Sequence, residues 1–383
     1  MKPAIVSRLP DVGTTIFTVM SQKAEQYGAL NLAQGFPDFP LPPALAEALA
    51  RSVAAGHNQY APMAGLPRLR ECIAADLERH FGCRADPLAE VTVVPGATEA
   101  IFCAIMASVR AGDEVILFDP SYDSYEPSVR LAGARAVRIP LAQPDFTIDW
   151  QRVEAAIGPR TRLVVINSPH NPSGSVLARE DLDRLGELAE RHDLLVLSDE
   201  VYAHLVYDGT PHHSVLAHPL LAPRSFAVFS FGKTYHVTGW KTGYCVAPAP
   251  LTTELRRVHQ FVAFAAITPI QHALADFMQS EPQHVAALPA FYQARRDLFC
   301  KALAGSRWKL VPSAGTYFQL LDYAAISGAD DLSMAELLVS RHGIAAIPVS
   351  VFYAQPPARG LLRFCFAKQE QTLLQAAEVL CTI

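Results

Sequence analysis

Short β-branched apolar runs alternating with helical patterns predict an α/β fold: a large domain with a mostly parallel seven-stranded sheet flanked by helices, plus a smaller α+β domain built from both termini. Three observations carry that prediction. Seven apolar runs fall at Val91–Val94, Glu114–Phe118, Ala134–Ile139, Leu163–Ile166, Leu194–Leu197, Phe226–Phe229 and Gly243–Ala247. Helical patterns at Thr98–Val109, Ser124–Leu131 and Arg179–His192 separate several of them, as βαβ units require. Runs such as Leu163-Val164-Val165-Ile166 are apolar without alternation, which suits a sheet covered on both faces.

Along the chain, residues 1–45 are rich in Pro and Gly and hold one helical stretch, near Ile16–Tyr27. The strand–helix alternation starts at about residue 46. From about residue 290 the elements mix again: Thr316–Leu321 and Leu361–Phe366 read as strands, Met334–His342 and the last stretch as helices. The expected division is a large domain over 46–285 and a small domain from 1–45 and 286–383. A chain of 383 residues fits two or three domains at ~150 residues each. No long-period repeat and no low-complexity tract interrupts it.

Composition narrows the function. Half the residues are hydrophobic, 18% are charged, and the net charge is −5. That balance leaves no footprint for nucleic acid and no polybasic segment for an anionic membrane. Residues 1–12 lack the apolar core of a signal peptide, and the longest apolar runs, such as Phe261–Thr268, are too short to span a bilayer. The seven cysteines are odd in number and no two are separated by two residues, which argues against a disulfide framework and a zinc site. The expectation is a cytoplasmic protein without a metal.

In open parallel sheets, ligands bind beyond the carboxyl ends of the strands. Four strand ends carry polar clusters there. Pro95-Gly96-Ala97-Thr98 opens a helix; it suits a phosphate at the free amides of a helix N-terminus, or an ordinary turn with Thr98 as cap. Asn167-Ser168-Pro169-His170-Asn171-Pro172-Ser173-Gly174 is either simple turn chemistry or a rigid mount for the Asn171 amide. Asp199 and Tyr202 share the next strand end, where a sheltered carboxylate needs a cation or a strong donor, or serves as a cap or in a salt bridge. Ser230-Phe231-Gly232-Lys233-Thr234 places a lysine beyond an apolar strand; it is an exposed loop lysine or a sheltered, reactive amine. The Gly232-Lys233-Thr234 string is not a nucleotide-binding loop, because Ala227 stands where that loop needs its first glycine. No dinucleotide fingerprint occurs either.

Taken in order, these pieces resemble the class I aminotransferases of pyridoxal-phosphate fold type I. Their lysine motif, close to S-x-x-K-[TS]-[FY]-x-x-x-G-[WYFL]-[RK]-x-G, matches Ser230 through Gly243. With Gly96-Ala97-Thr98, Asn171-Pro172-Ser173-Gly174, Asp199–Tyr202 and Arg363, the resemblance covers essentially the whole chain. Asn31 through Phe39 and Asn58-Gln59-Tyr60 are similar to the methionine, kynurenine and glutamine transaminase branch, closest to its bacterial methionine enzymes.

The resemblance implies that Lys233 holds pyridoxal 5'-phosphate as a Schiff base and later shuttles a proton. It implies that Asp199 keeps the pyridine nitrogen protonated, that Asn171 and Tyr202 hydrogen-bond the ring oxygen, and that Tyr122 stacks on the ring. Ala97, Thr98, Ser230 and Lys241 bind the phosphate; Arg363, Gly35 and Asn171 bind the substrate, with Arg363 clamping its carboxylate. Tyr60 resembles a tyrosine that reaches the phosphate of a neighbouring subunit, so the implied assembly is a homodimer with shared sites. Two departures stand out: Lys241 replaces a frequent arginine, and Gly232 replaces a frequent serine and is expected to loosen its turn.

The implied reaction is ping-pong transfer of the amino group to a 2-oxo acid. Phe36, Tyr60, Phe264 and Phe352 are the candidate pocket wall, and no obvious second arginine stands ready for a side-chain carboxylate, with Arg295 and Arg296 left open; both points favour methionine or aromatic donors over aspartate. A cysteine-conjugate β-lyase would use the same Lys233. A cofactor-binding regulatory module is the reading from another class, disfavoured because no DNA-binding domain fits in the residues before about 30.

Overall fold

The computed structural model describes residues 5–357 and 360–383, so the first four residues of the 1–12 stretch lie outside the described residues. Helix α1 (Ile16–Tyr27) begins at Thr15, whose side chain accepts the Thr18 amide, and ends at Gly28, left-handed at φ 59. A two-residue strand β1 (Leu30–Asn31) follows, then α2 (Pro43–Ala54) and α3 (Pro67–Phe81). Both helices place proline in the first turn, where a missing N–H costs nothing. The sheet region then runs β2 (Val91–Val94), α4 (Ala97–Ser108), β3 (Glu114–Asp119), α5 (Tyr125–Leu131), β4 (Arg135–Pro140), α6 (Trp150–Ala156) and β5 (Thr161–Asn167). It continues through α7 (Arg179–Arg191), β6 (Leu195–Asp199), β7 (Ser225–Ser230), the one-turn α8 (Phe231–Thr234) and β8 (Gly243–Val246). Helices α9 (Ala249–Val262), α10 (Thr268–Ser280) and α11 (Gln283–Ala302) lead to β9 (Phe318–Asp322), α12 (Asp331–Arg341), β10 (Ile344–Ala345), β11 (Ile347–Pro348), β12 (Leu361–Cys365) and α13 (Glu370–Cys381).

The seven-stranded sheet has the order β2-β8-β7-β6-β5-β3-β4. Strands β3 to β7 pair in parallel, and β8 is antiparallel to both its neighbours. The 231–242 link explains β8: it holds only α8 and a 3-10 turn, too little for a crossover, so the chain returns beside β7 in the opposite sense. Alternate strand residues face two separate cores. Val115, Leu163, Val165, Leu197 and Val228 pack with α4 on one face, while Ile116, Val164, Ile166, Val196 and Phe229 pack into the larger cluster on the other.

Beyond the sheet, β9, β12 and β11 form a three-stranded antiparallel sheet. β1 pairs in parallel with β10, Leu30 opposite Ile344 and Asn31 opposite Ala345. These pairings carry Gly35, just after β1, and Arg363, in the middle of β12, to the edge where the large sheet ends.

Candidate active site

Six of the seven strands run the same way, and the carboxyl ends of five of them, β2, β3, β5, β6 and β7, or the residues just beyond, meet a cavity of about 270 Å³. One wall is built for an anion. Gly96 precedes α4 at φ 82 and gives no side-chain cap, so the first amides of the helix, at Ala97 and Thr98, lack intrahelical acceptors and face the cavity. Thr98 therefore lies inside the first turn and is not the cap. Gly243 makes the approach possible: a Cβ there would lie 2.4 Å from the Phe229 carbonyl oxygen and 3.1 Å from the Ala97 nitrogen. Ser230 ends β7 on the same wall. Lys241, left-handed at φ 46, brings its amine against Gly96 and adds the positive charge.

The second wall carries a buried carboxylate. Asp199 ends β6, and its Oδ2 accepts a 2.6 Å hydrogen bond from the Tyr125 hydroxyl while Oδ1 accepts the Val201 amide at 3.3 Å. Among the described residues it has no salt-bridge partner. Burial pushes its pKa up to about 6, against the opposing pull of the Tyr125 bond. Tyr122 lines the cavity above α5, with its ring edge-on to Tyr125 at 5.6 Å. The loop that carries Tyr122 is tied to the Asn171 loop by His170. Burial pulls that ring down to about 4, so it is neutral; Nε2 donates to the Pro120 carbonyl at 3.0 Å and Nδ1 accepts from the Ser173 hydroxyl at 2.7 Å.

Lys233, in α8, is half-buried with its amine in the cavity. It donates to the Tyr317 hydroxyl at 2.9 Å and to the Gly35 carbonyl at 3.3 Å. Burial, with Arg363 and Lys241 nearby, lowers its pKa to about 8, although Cys365 and Asp199 act the other way. Tyr202 is buried beside it, the amine 5.6 Å from the ring centre.

Arg363 closes the fourth wall. Its guanidinium lies 3.8 Å from the Phe318 ring centre, donates from Nη1 to Asn171 Oδ1 at 2.7 Å and from Nη2 to the Ala33 carbonyl at 2.9 Å, and leaves a buried Nε–H without a partner among the described residues. The bond from Arg363 fixes the Asn171 amide, whose Nδ2 end is thereby turned to donate. The Asn171 backbone is held in turn by Asn167, whose Oδ1 accepts the Asn171 amide at 2.8 Å.

Eleven residues singled out from sequence line this one cavity: Gly35, Ala97, Thr98, Tyr122, Asn171, Asp199, Tyr202, Ser230, Lys233, Lys241 and Arg363. Tyr60 does not. It is 86% exposed, edge-on to the half-exposed Phe264 at 5.3 Å. Of the expected aromatic wall only Phe36 faces this cavity. Phe352 is buried against Phe17, behind Arg363, and the walls are supplied instead by Phe17 and Phe318. Arg295 stacks on Phe291, and Arg296 pairs with Asp208 and Asp297, so neither reaches the cavity. Gly232 does not loosen its turn: a Cβ there would lie 2.9 Å from the Thr238 Cα, so the glycine permits a close approach of two backbone segments. Sequence reading also missed Tyr125 and Tyr317. The spacing Tyr122-x-x-Tyr125 at a helix start was a usable signal for the first; no local pattern marks the second.

The chain is similar to known proteins over nearly its whole length. The family model described as "Aminotransferase class I and II" matches residues 27–380. Methionine aminotransferase of Escherichia coli is 53% identical over 97% of this chain and 96% of its own length. A probable N-succinyldiaminopimelate aminotransferase of Mycobacterium tuberculosis is 40% identical, over 97% and 96%. Among solved structures, an Escherichia coli protein reported with a methionine aminotransferase function superposes with a TM-score of 0.97 at 53% identity, covering 100% of both chains.

Proposed function

Because this chain belongs to the class I and II aminotransferases, we propose that it holds pyridoxal 5'-phosphate on Lys233 and moves the amino group of methionine, or of an aromatic or other apolar amino acid, to a 2-oxo acid by a ping-pong route. The observation that carries the reading is the Lys233 amine, lowered to about 8 and facing the same cavity as Asp199 and Arg363.

The residues fit the cofactor. The cavity presents free helix amides with Lys241, a buried carboxylate without a cation, and an Arg363 Nε–H without an acceptor. A phosphate suits the first, a protonated ring nitrogen the second, and a substrate carboxylate the third. Ala97, Thr98, Ser230 and Lys241 would hold the phosphate, Asp199 the ring nitrogen, Tyr122 the ring face, and Asn171 and Tyr202 the ring oxygen. When bound, the cofactor supplies an electron-withdrawing ring that acidifies the substrate Cα–H.

The chain's own groups do the rest. Arg363 orients the substrate through its carboxylate and so fixes which bond at Cα faces Lys233. A lysine with a pKa near 8 has a sizeable neutral fraction at physiological pH, so its Nζ takes up the Cα proton and later returns one. Asp199 keeps a proton on the ring nitrogen. Phe17, Phe36 and Phe318 exclude water and receive an apolar side chain, and among the described residues Arg363 is the only arginine lining the cavity. Those walls favour methionine or an aromatic donor over a dicarboxylate.

The same reading makes the enzyme a cytoplasmic homodimer. Its support is an exposed Tyr60–Phe264 pair outside its own cavity, seven free cysteines, and no helix long and apolar enough to cross a membrane among the described residues. It also divides the chain into 46–285 and a small domain from 1–45 and 286–383, a division supported by the β1–β10 pairing. Lys233→Ala tests the core: turnover and the visible absorbance of bound cofactor are expected to vanish together, and normal turnover in that variant overturns the assignment. A panel of amino donors tests the specificity, and aspartate as the best donor overturns that part.

A further inference from the structure

Thr316, immediately before β9, has φ 65. A β-branched residue in the left-handed region is strained, and such strain persists only where the surroundings over-determine it. Here three hydrogen bonds do so. The Thr316 amide donates to the Leu205 carbonyl at 2.9 Å, its carbonyl accepts the Tyr207 hydroxyl, and its Oγ1 accepts the Phe318 amide at 3.1 Å. The residue that this conformation aims is Tyr317. It is fully buried, and its hydroxyl donates to the Gly35 carbonyl at 2.5 Å. With its only proton given to Gly35, the phenol faces Lys233 as an acceptor alone.

We propose that Tyr317 is a positioning residue for Lys233: it fixes the direction of the lysine amine, and the strained Thr316 aims it. The amine gives one N–H to the Tyr317 oxygen and leans a second towards the Gly35 carbonyl, both on the same wall. The remaining tetrahedral position opens on the cavity. In the neutral amine that position is the lone pair, so Tyr317 presents the nucleophile, and later the base, to the space where carbonyl and Cα must lie. This rests on Lys233 being the cofactor's anchor.

The test uses cofactor-free protein and pyridoxal 5'-phosphate, trapping the captured product with borohydride and locating it by mass spectrometry. Capture joins the amine nitrogen to the aldehyde carbon, and the two amine hydrogens leave with the carbonyl oxygen as water. In the wild type the rate is expected to rise with pH through a midpoint at about 8, as the amine loses its proton. In Tyr317→Phe an acceptor that favours the ammonium form is gone, so the midpoint falls. The plateau rate at high pH also falls, about tenfold, because the lone pair is no longer aimed. A purely structural residue moves neither midpoint nor plateau in protein that remains folded. A Tyr317→Phe variant with the wild-type midpoint and plateau overturns the proposal. If that variant does not fold, 4-fluorophenylalanine at position 317 fills the hydroxyl's space without its acceptor oxygen; an unmoved midpoint then overturns it. Absence of label at Lys233 in the wild type instead overturns the cofactor assignment.

Discussion

Arg363→Lys separates recognition of a carboxylate from support of the fold. The guanidinium carbon lies 3.8 Å from the Phe318 ring centre, with one hydrogen of Nη1 given to Asn171 and one of Nη2 to Ala33, and its Nε–H has no partner among the described residues. Lysine keeps the positive charge but presents a single point in place of a planar fork. The substrate carboxylate, placed to take the Nε–H together with the second hydrogen of Nη2, therefore loses one of two parallel charge-assisted hydrogen bonds. A bond of that kind contributes about 1.5–3 kcal/mol, which corresponds to a drop of roughly 10- to 150-fold in kcat/KM. The assay compares methionine with its decarboxylated amine, reading each single turnover through the cofactor absorbance. The expected result is a 10- to 150-fold loss (roughly, by the same hydrogen-bond range) for methionine and little change for the amine, which has no carboxylate to lose. An equal loss on both compounds refutes the clamp and makes Arg363 a support for Asn171 and Ala33 alone.

Two further predictions use the cofactor-free protein. The Asp199 pKa is raised by burial to about 6 from 3.8, so the native state binds this proton more tightly than the unfolded chain does. The stability it contributes is complete below about pH 3.8 and is lost as pH rises through about 6, a swing of about 3 kcal/mol. Urea unfolding across that window should show a shallower pH dependence in Asp199→Asn than in the wild type, and parallel curves refute the burial argument. Gly232→Ser puts a Cβ 2.9 Å from the Thr238 Cα and should cost about 1–3 kcal/mol through overpacking, seen as a lowered Tm; an unchanged Tm refutes the close approach.

The strand runs were legible because a strand buried on both faces shows an unbroken apolar string, and Val91–Val94 is identical in sequence pattern and structure. The reading stopped short elsewhere for a reason tied to the site. Asp119, Asn167, Asp199 and Ser230 are polar, so a hydrophobic pattern ends before them, yet the hydrogen-bonded ladder includes them. Asn167 pairs with Asp199, and Asp199 with Val228, so the carboxylate proposed for the ring nitrogen is a last rung of the sheet and inherits its rigidity, whereas Lys233 follows the sheet in α8 and Arg363 lies on β12. The reversed direction of β8 was hidden because a strand run carries no sense of direction. Tyr125 and Tyr317 were hidden because their partners, Asp199 and Lys233, are remote along the chain and only the fold supplies the pairing. The aromatic wall was misassigned for a related reason: composition counts phenylalanines but does not say that Phe318 faces the cavity and Phe352 backs onto it.

The placement of Arg363 on β12 sets an order in which the site becomes discriminating. A ribosome releases the helix amides at 97–98, Asp199, Lys233 and Lys241 while some 120 residues, counted from the numbering, still separate Lys241 from Arg363. Tyr317 and Arg363 arrive only with β9 and β12, the strands that pair with each other. A nascent or prematurely terminated chain that had folded only the large sheet would own the proposed reactive amine and anion cradle without the proposed carboxylate fork. On the roles proposed for Lys233 and Arg363, such a chain would trap stray aldehydes, and the late addition of β12 would turn that trap into an enzyme that tests its substrate's carboxylate.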